Sequence, residues 1–363
     1  MTRTLLGPLL AALLCGCASL APAAPVTLEG VPRYTHVFVI IDENKDYGQI
    51  LDPTAAPHIA RLAADYGNAV HFFAEVHPSE ANYVALLGGD TFGIHDDDAY
   101  YCRAGSTEPF CDGAKAPGYA DHTVHAPHLG DQLAAAGLDW KGYYESLPEP
   151  GSGAVTASDP AYDNGTRKTA LYASKHSGFM NFADVQADPR RRERIVGFDQ
   201  FERDLAQGAT PALAVVVPNQ CNDLHGLHGA GVPDDCEGEN KAGLIARGDR
   251  VLAHLVEQIQ HSLVWKSADN VAIVFTFDEG SGKSREGCCG ITPGAPSNFG
   301  GGHIPTLVIT NHGPRGVVDE TSYSHYSLLR TLEDAFGVKE HLGHAADADV
   351  APMRKLFATE GGR

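Results

Sequence analysis

The stretch His36-Val37-Phe38-Val39-Ile40-Ile41-Asp42-Glu43-Asn44 decides the fold. Five apolar residues, 37–41, run directly into two acids and an amide. A continuous apolar run of this length suits a strand buried on both faces, as in a parallel sheet. Sheets of that kind carry their chemistry in the crevice beyond the carboxyl ends of the strands. Oxygen-bearing side chains at that end point to a metal site or to acid/base work. The pattern returns late in the chain, where the run Val271 to Phe277 delivers Asp278 and Glu279. Two buried strands ending in carboxylates are expected to meet at one cation.

Further strand-like runs lie at 212–217, closed by Pro218, and at 304–309. Helix-like stretches fall between them at 55–66, 82–88, 126–137, 240–262 and 324–336. Strands alternating with helices imply an α/β fold, a mostly parallel central sheet flanked by helices. The segment 90–125 is polar and rich in Gly, Asp and His, and reads as a long ordered insertion. No linker divides residues 24–363, so a single domain is expected there.

The formal charge of −19 over 363 residues argues against a nucleic-acid partner, which needs a basic surface. An anionic substrate then has to be drawn in by a local cation or positive patch. The N-terminus reads as an export signal over residues 1–23: Arg3 precedes an apolar core from Leu5 to Leu14, and Ala21-Pro22-Ala23 offers a small-x-small cleavage site. A rival reading takes Leu14-Cys15-Gly16-Cys17 as a lipoprotein signal, with Cys17 lipidated and supplying the only membrane contact. Both readings place the chain outside the cytoplasm: periplasmic, secreted, or an outer-membrane lipoprotein. In an oxidising compartment the remaining Cys102, Cys111, Cys221, Cys236, Cys288 and Cys289 suggest disulfides. Local pairing joins Cys102 to Cys111 and Cys221 to Cys236. Cys288-Cys289 is then a vicinal bridge or a pair of partners for other loops.

Several short clusters could bear chemistry. Glu43-Asn44 offers hard oxygen ligands, though Asp42 or Asn44 would serve equally in a turn or cap. Ser79, in His77-Pro78-Ser79-Glu80-Ala81-Asn82-Tyr83, starts a short helix. A hydroxyl there is ordinarily an N-cap; as a nucleophile it would face the free N–H groups and positive end of the helix. Lys175-His176 is a cationic pair suited to clamping phosphate. The loop after Pro218 holds Asp223 and His225, with His228 beyond. Asp278-Glu279-Gly280 and Gly301-Gly302-His303 set acids or histidine beside glycines that permit close approach of a ligand. His303 also directly precedes a buried strand, where a packed structural histidine is the plain reading.

Taken in order, these motifs resemble the bacterial phosphoesterase family of acid phosphatases and phospholipases C, within the alkaline phosphatase superfamily. The resemblance spans roughly 34–340. It rests on Val39 to Asn44, Pro78-Ser79 with Asn82-Tyr83, Tyr172 to His176, Val217 to Asn219 with Asp223 and His225, Thr276 to Gly280, Gly302 to Thr306, and Tyr323 to Thr331. Several short matches in the same order are far more specific than any one. Residues 283–300 depart from the pattern as an insertion, and the close spacing of Asp223 and His225 speaks against a full second metal site.

The resemblance implies an alkaline-phosphatase-like fold and an exported, metal-dependent acid phosphatase acting on phosphomonoesters through a phosphoserine. Glu43, Asn44, Asp278 and Glu279 are expected to hold one divalent ion, with Ca, Mg, Mn, Zn or Fe all open. Ser79 is the expected nucleophile, with His225 and His303 as further catalytic residues and Asn82, Lys175 and His176 on the phosphate. The substrate is expected to be a small-molecule or lipid phosphate ester. Alternatives are a phospholipase C-type diesterase and a non-catalytic protein that binds metal or phosphate.

Overall fold

The computed structural model describes Met1 and residues 27–163, 167–289 and 299–359. The expected export signal and Cys17 lie outside the described residues. Among the described residues, nine strands form the main sheet: β1 (His36–Asp42), β2 (Gly67–Phe73), β3 (Trp140–Tyr144), β4 (Ile195–Val196), β5 (Leu213–Val217), β6 (Val271–Phe277), β7 (His303–Ile304), β8 (Thr306–Thr310) and β9 (Val317–Ser324). Their order is β7-β2-β8-β6-β1-β5-β3-β4, with β9 also paired to β2.

The stretch from 36 to 41 sits mid-sheet, as its apolar run requires. Every residue of β1 after His36 is buried, and both neighbours, β6 and β5, run parallel to it. The parallel pairing continues through β3 to β4. On the other side β8 is antiparallel to β6 and β2, β7 is antiparallel to β2, and β9 is parallel to β2. The sheet is thus mixed but mostly parallel. Pro305, which has no N–H for the ladder, separates β7 from β8.

Helices flank the sheet: α1 (Pro57–Asp65), α2 (Glu80–Gly88), α3 (Leu129–Ala135), α4 (Phe198–Gln207), α5 (Lys241–His261) and α6 (His325–Phe336). Pro opens α1, where its missing N–H costs nothing. The Asn240 side chain accepts from Gly243 N–H to cap α5. Unlike its amphipathic neighbours, α2 is buried along its whole length. Its small Ala and Gly positions let it pack between other elements, including α6. It ends at Gly89, whose φ of +77° is left-handed and whose missing Cβ would lie 2.3 Å from Leu342 O.

The long apolar runs appear as strands close to their expected limits; four of the expected helices appear slightly shortened, and the one expected at 82–88 starts earlier, at Glu80. Strands β2, β3, β4 and β9 and helix α4 were not anticipated. β9 reads Val-Val-Asp-Glu-Thr-Ser-Tyr-Ser, a mixed sequence whose burial is irregular because it lies beside β2 alone. Segment 90–125 contains no helix or strand and is held partly by the disulfide Cys102–Cys111. Cys221–Cys236 and Cys288–Cys289 are also bonded, so the local pairing holds and the adjacent cysteines form the vicinal bridge.

Candidate active site

The register of β1 and β6 places Asp42 opposite Phe277, so both strands end at the same level. Asp278 N–H donates to Asp42 O at 3.1 Å, which seats Asp278-Glu279 beside Glu43. On the other side of β1, Glu43 N–H donates to Asp223 O at 2.7 Å. Three adjacent strand ends, β5, β1 and β6, therefore deliver Asp223, Glu43 and Asp278 side by side. All are buried to within 1% of full enclosure.

Ser79 comes to this row from the start of α2 and is itself only 1% exposed. It does not cap the helix. Its hydroxyl donates instead to Glu43 Oε1 at 2.5 Å and lies 3.3 Å from Glu279 Oε1. A buried hydroxyl turned away from its own helix and onto two carboxylates is what a nucleophile requires and what a cap does not.

Lys175 and His176 occupy a short 3-10 turn, Ser174–His176, following the strand Ala170–Ala173. Lys175 Nζ lies 3.0 Å from Asp97 Oδ2 and 3.7 Å from Glu43 Oε1. His176 Nε2 meets Glu43 Oε2, its Nδ1 lies 3.7 Å from Asp223 Oδ2, and Tyr83 stacks on its ring at 5.5 Å. His225 Nε2 stands 4.0 Å from Glu43 Oε1, while its Nδ1 pairs with Gly226 O. Gly226 has φ +87° and no room for a Cβ, which would lie 2.7 Å from Gly238. That turn is what presents His225. Ser79, Lys175 and His225 thus converge on a single oxygen, Glu43 Oε1.

Charge in this volume is far from balanced. Burial, then the Glu43 charge, pushes the Asp223 carboxyl well above its usual range. Burial, then Glu43 and Glu279, does the same to Asp278. Glu279 is raised by burial against the pull of His77. Burial opposes ionisation of Glu43 too, but His176, Lys175 and His225 outweigh it and hold its pKa well down. Asp278 Oδ2 is buried with no hydrogen-bond partner. Glu43, Asp278 and Glu279 each offer an oxygen within 4.8 Å of the others, and Glu43, His176 and Asp223 form a second such trio. Crowded hard-oxygen donors with an orphaned carboxylate oxygen fit a divalent cation, whose charge would relieve their repulsion.

Of the expected site residues, Glu43, Ser79, Lys175, His176, His225, Asp278 and Glu279 come together here. Asn44 directly follows Glu43. Two residues are engaged otherwise. The Asn82 carboxamide is taken up by its own loop: Oδ1 accepts from Glu75 and Val76 N–H, and Nδ2 donates to Val76 O and Pro78 O. The ring of His303 stacks on Tyr47 at 4.7 Å and its Nε2 pairs with Val70 O. As the first residue of β7, it takes the structural role that its position before a strand allows. The loop after β5 folds Asp223 against Glu43 and His176, while His225 Nε2 stands 4.0 Å from Glu43 Oε1.

His77 and Asp97 went unassigned in the sequence. His77 Nδ1 bonds Glu279 Oε2 and its Nε2 bonds Ser284 O, so it fixes the carboxylate beside Ser79. Asp97 anchors Lys175. The only sequence signal for Asp97 was the acidic, His-rich character of 90–125, which does not single out one residue.

The family model described as "Phosphoesterase family" matches residues 49–339, starting just past Glu43. The chain is 29% identical over 343 residues to a phosphatidylinositol-3-phosphatase of Mycobacterium tuberculosis, covering 94% of this chain and 90% of that one. It is 27% identical over 338 residues to an acid phosphatase of Aspergillus fumigatus, covering 93% of this chain and 62% of the relative. The solved structure of the sulfatase PsFucS1 from Pseudoalteromonas sp. superposes with a TM-score of 0.51 at 12% identity, covering 91% of this chain and 73% of that chain. That last likeness is one of fold. The chain belongs to the phosphoesterase family and is a hydrolase of phosphate ester bonds.

Proposed function

We propose that the protein is an exported, metal-dependent phosphomonoesterase of acid-phosphatase type that works through a phosphoserine at Ser79. The observation that carries this reading is the Ser79 hydroxyl, buried, unused by its helix, and donated to Glu43 beside Glu279. Glu43, Asn44, Asp278 and Glu279 would hold one divalent ion. Bound there, such an ion supplies charge that lowers the pKa of a nearby hydroxyl and neutralises phosphoryl oxygens.

The residues of the chain divide the remaining work. Ser79 Oγ loses its proton to water and attacks phosphorus in line, forming the Oγ–P bond as the P–O bond to the alcohol breaks. Lys175 and His176 neutralise the oxygens that gain charge. Lys175 is held cationic, its pKa raised against burial by Asp97 and Glu43. His225 gives a proton to the departing alkoxide. Water then cleaves the phosphoserine, restoring the hydroxyl and releasing phosphate. His77 positions Glu279, and Asn82 braces the loop that carries Ser79.

The relatives named as phosphatases support a monoester substrate, and the one named for a phosphatidylinositol phosphate makes a phosphorylated lipid headgroup a candidate. Three disulfides suit an oxidising compartment. No helix among the described residues is long and apolar enough to cross a membrane. The test is removal of metal by a chelator and its re-addition. Activity toward an aryl phosphate should vanish and return with one divalent ion. Full activity in protein shown by elemental analysis to be metal-free would refute the reading. Turnover of a bis-aryl phosphate or of phosphatidylcholine vesicles above that of the aryl monoester would favour the diesterase instead.

A further inference from the structure

A cavity of about 220 Å3 opens directly beside the catalytic cluster, with Lys175 and His225 in its wall. Both residues lie on the Glu43 Oε1 that Ser79 also contacts. In-line displacement requires the leaving alcohol to depart on the side of phosphorus opposite the nucleophile. Lys175 and His225 line the cavity and Ser79 does not, so a phosphoryl group attacked by Ser79 and held by Lys175 has the cavity open to its departing alcohol.

The cavity has a graded character. Its inner wall, at Ala173 and Gly226, is buried and small, leaving space for a ring or short carbon skeleton. Toward solvent it is bounded by Arg167, Lys168 and His228. His228 N–H donates to Lys168 O, which keeps these two together at the exposed rim. The Arg167 guanidinium donates to two backbone carbonyls, Asp97 O and Phe110 O, which fix its direction without cancelling its charge. The acids in the same wall are committed elsewhere. Asp97 holds Lys175, and the Asp98 carboxylate accepts from Asp112 N–H, Gly113 N–H and the Tyr119 hydroxyl. His228 is paired with Glu237 at 3.3 Å, so Arg167 and Lys168 are the cations that this rim offers to an anion.

We propose that this cavity is a leaving-group pocket for a small alcohol carrying a second anionic group, read at the rim by Lys168 and Arg167. Its volume lies below the roughly 300–1,000 Å3 typical of drug-sized pockets, so a monosaccharide-sized group fits within it. The proposal rests on the reading of Ser79 as nucleophile, because that fixes which side of phosphorus faces the cavity.

The test compares fructose 1,6-bisphosphate with fructose 6-phosphate on the full chain, as substrates and by calorimetric titration. The bisphosphate should show the higher kcat/KM and the tighter binding. In Lys168→Gln the ratio between the two substrates should fall about three- to tenfold, through KM with kcat kept, and Lys168→Glu should lower it further. Lys168 is exposed, so both variants should fold, which circular dichroism checks. Equal binding and turnover of the two sugars, or a ratio unmoved by both substitutions, overturns the pocket while leaving Ser79 in place. Tighter bisphosphate binding that depends on Lys168, without turnover of either sugar or of an aryl phosphate, supports the pocket and counts against the catalytic reading.

Discussion

A serine at the start of a helix normally spends its hydroxyl on the helix's own N–H groups. Ser79 does not, and three neighbours explain its availability: Glu43 accepts its hydrogen bond, Glu279 stands beside it, and His77 holds Glu279 in place. The same scale of reasoning separates the histidines. His225 faces the cavity, and burial pushes its pKa down to about 4. A group with so low a value carries its proton in a growing fraction of molecules as the pH falls, so kcat/KM should rise from pH 7 toward pH 5. His225→Asn should abolish that rise. It should slow alkyl phosphates by about 10²–10⁴-fold, and aryl phosphates, whose leaving groups need less protonation, much less; pH profiles on the two ester types check this. His122 shows the opposite effect and a structural purpose. Burial opposes its charge, but Asp96 at 2.9 Å and Glu80 at 3.0 Å raise its pKa to about 10. Because the folded value lies above the unfolded one of about 6.5, the stabilisation is complete below about 6.5 and is lost as pH rises through 10. Thermal melts should lose about 2 kcal/mol over that window, and His122→Gln should remove this dependence.

At the scale of elements, the site is made by adjacency of strand ends, and that adjacency explains what could be read in advance. The runs at 37–41 and 271–275 are continuously apolar because β1 and β6 are covered on both faces, so the acids that follow stood out. Glu43, Asp278 and Glu279 were legible for that reason, and Ser79 from its place at the start of a short helix. Strands β2 and β9 were not, because they lie toward the edge of the sheet and mix polar with apolar residues. Asn82 and His303 were assigned to chemistry from motif position, whereas their hydrogen bonds serve the loop and the strand end. Asp97 was illegible because it reaches Lys175 from a segment without helix or strand, where no period marks which residue points inward. The loop bearing Asp223 and His225 depends on a tether, the Cys221–Cys236 disulfide, with a sequence separation of 15. Replacing both cysteines by serine should cost about 3 kcal/mol of stability, read by denaturant titration. Activity should fall with it, since loosening this loop displaces both residues.

Across the whole molecule, the main sheet brings the buried carboxylates together, and irregular segments line the cavity beside them. The buried carboxylates beyond β5, β1 and β6 are an expense that the fold alone does not recover, since Asp223 and Asp278 are both raised by burial and then by the Glu43 charge. A divalent ion should therefore stabilise the entire chain by mass action, by about 2.7 kcal/mol at a free concentration of 100 Kd. Calorimetric melts should show this in the wild-type protein and lose most of it in Asp278→Asn. The buried carboxylates, the tethered loop and the buried helix α2 all meet around one hydroxyl, that of Ser79. The most direct measurement is the kcat of Ser79→Ala on an aryl phosphate, with metal content and unfolding midpoint determined on the same sample. The predicted result is a loss of at least about a thousandfold in a folded, metal-bearing protein. Turnover close to that of the wild type would contradict the account.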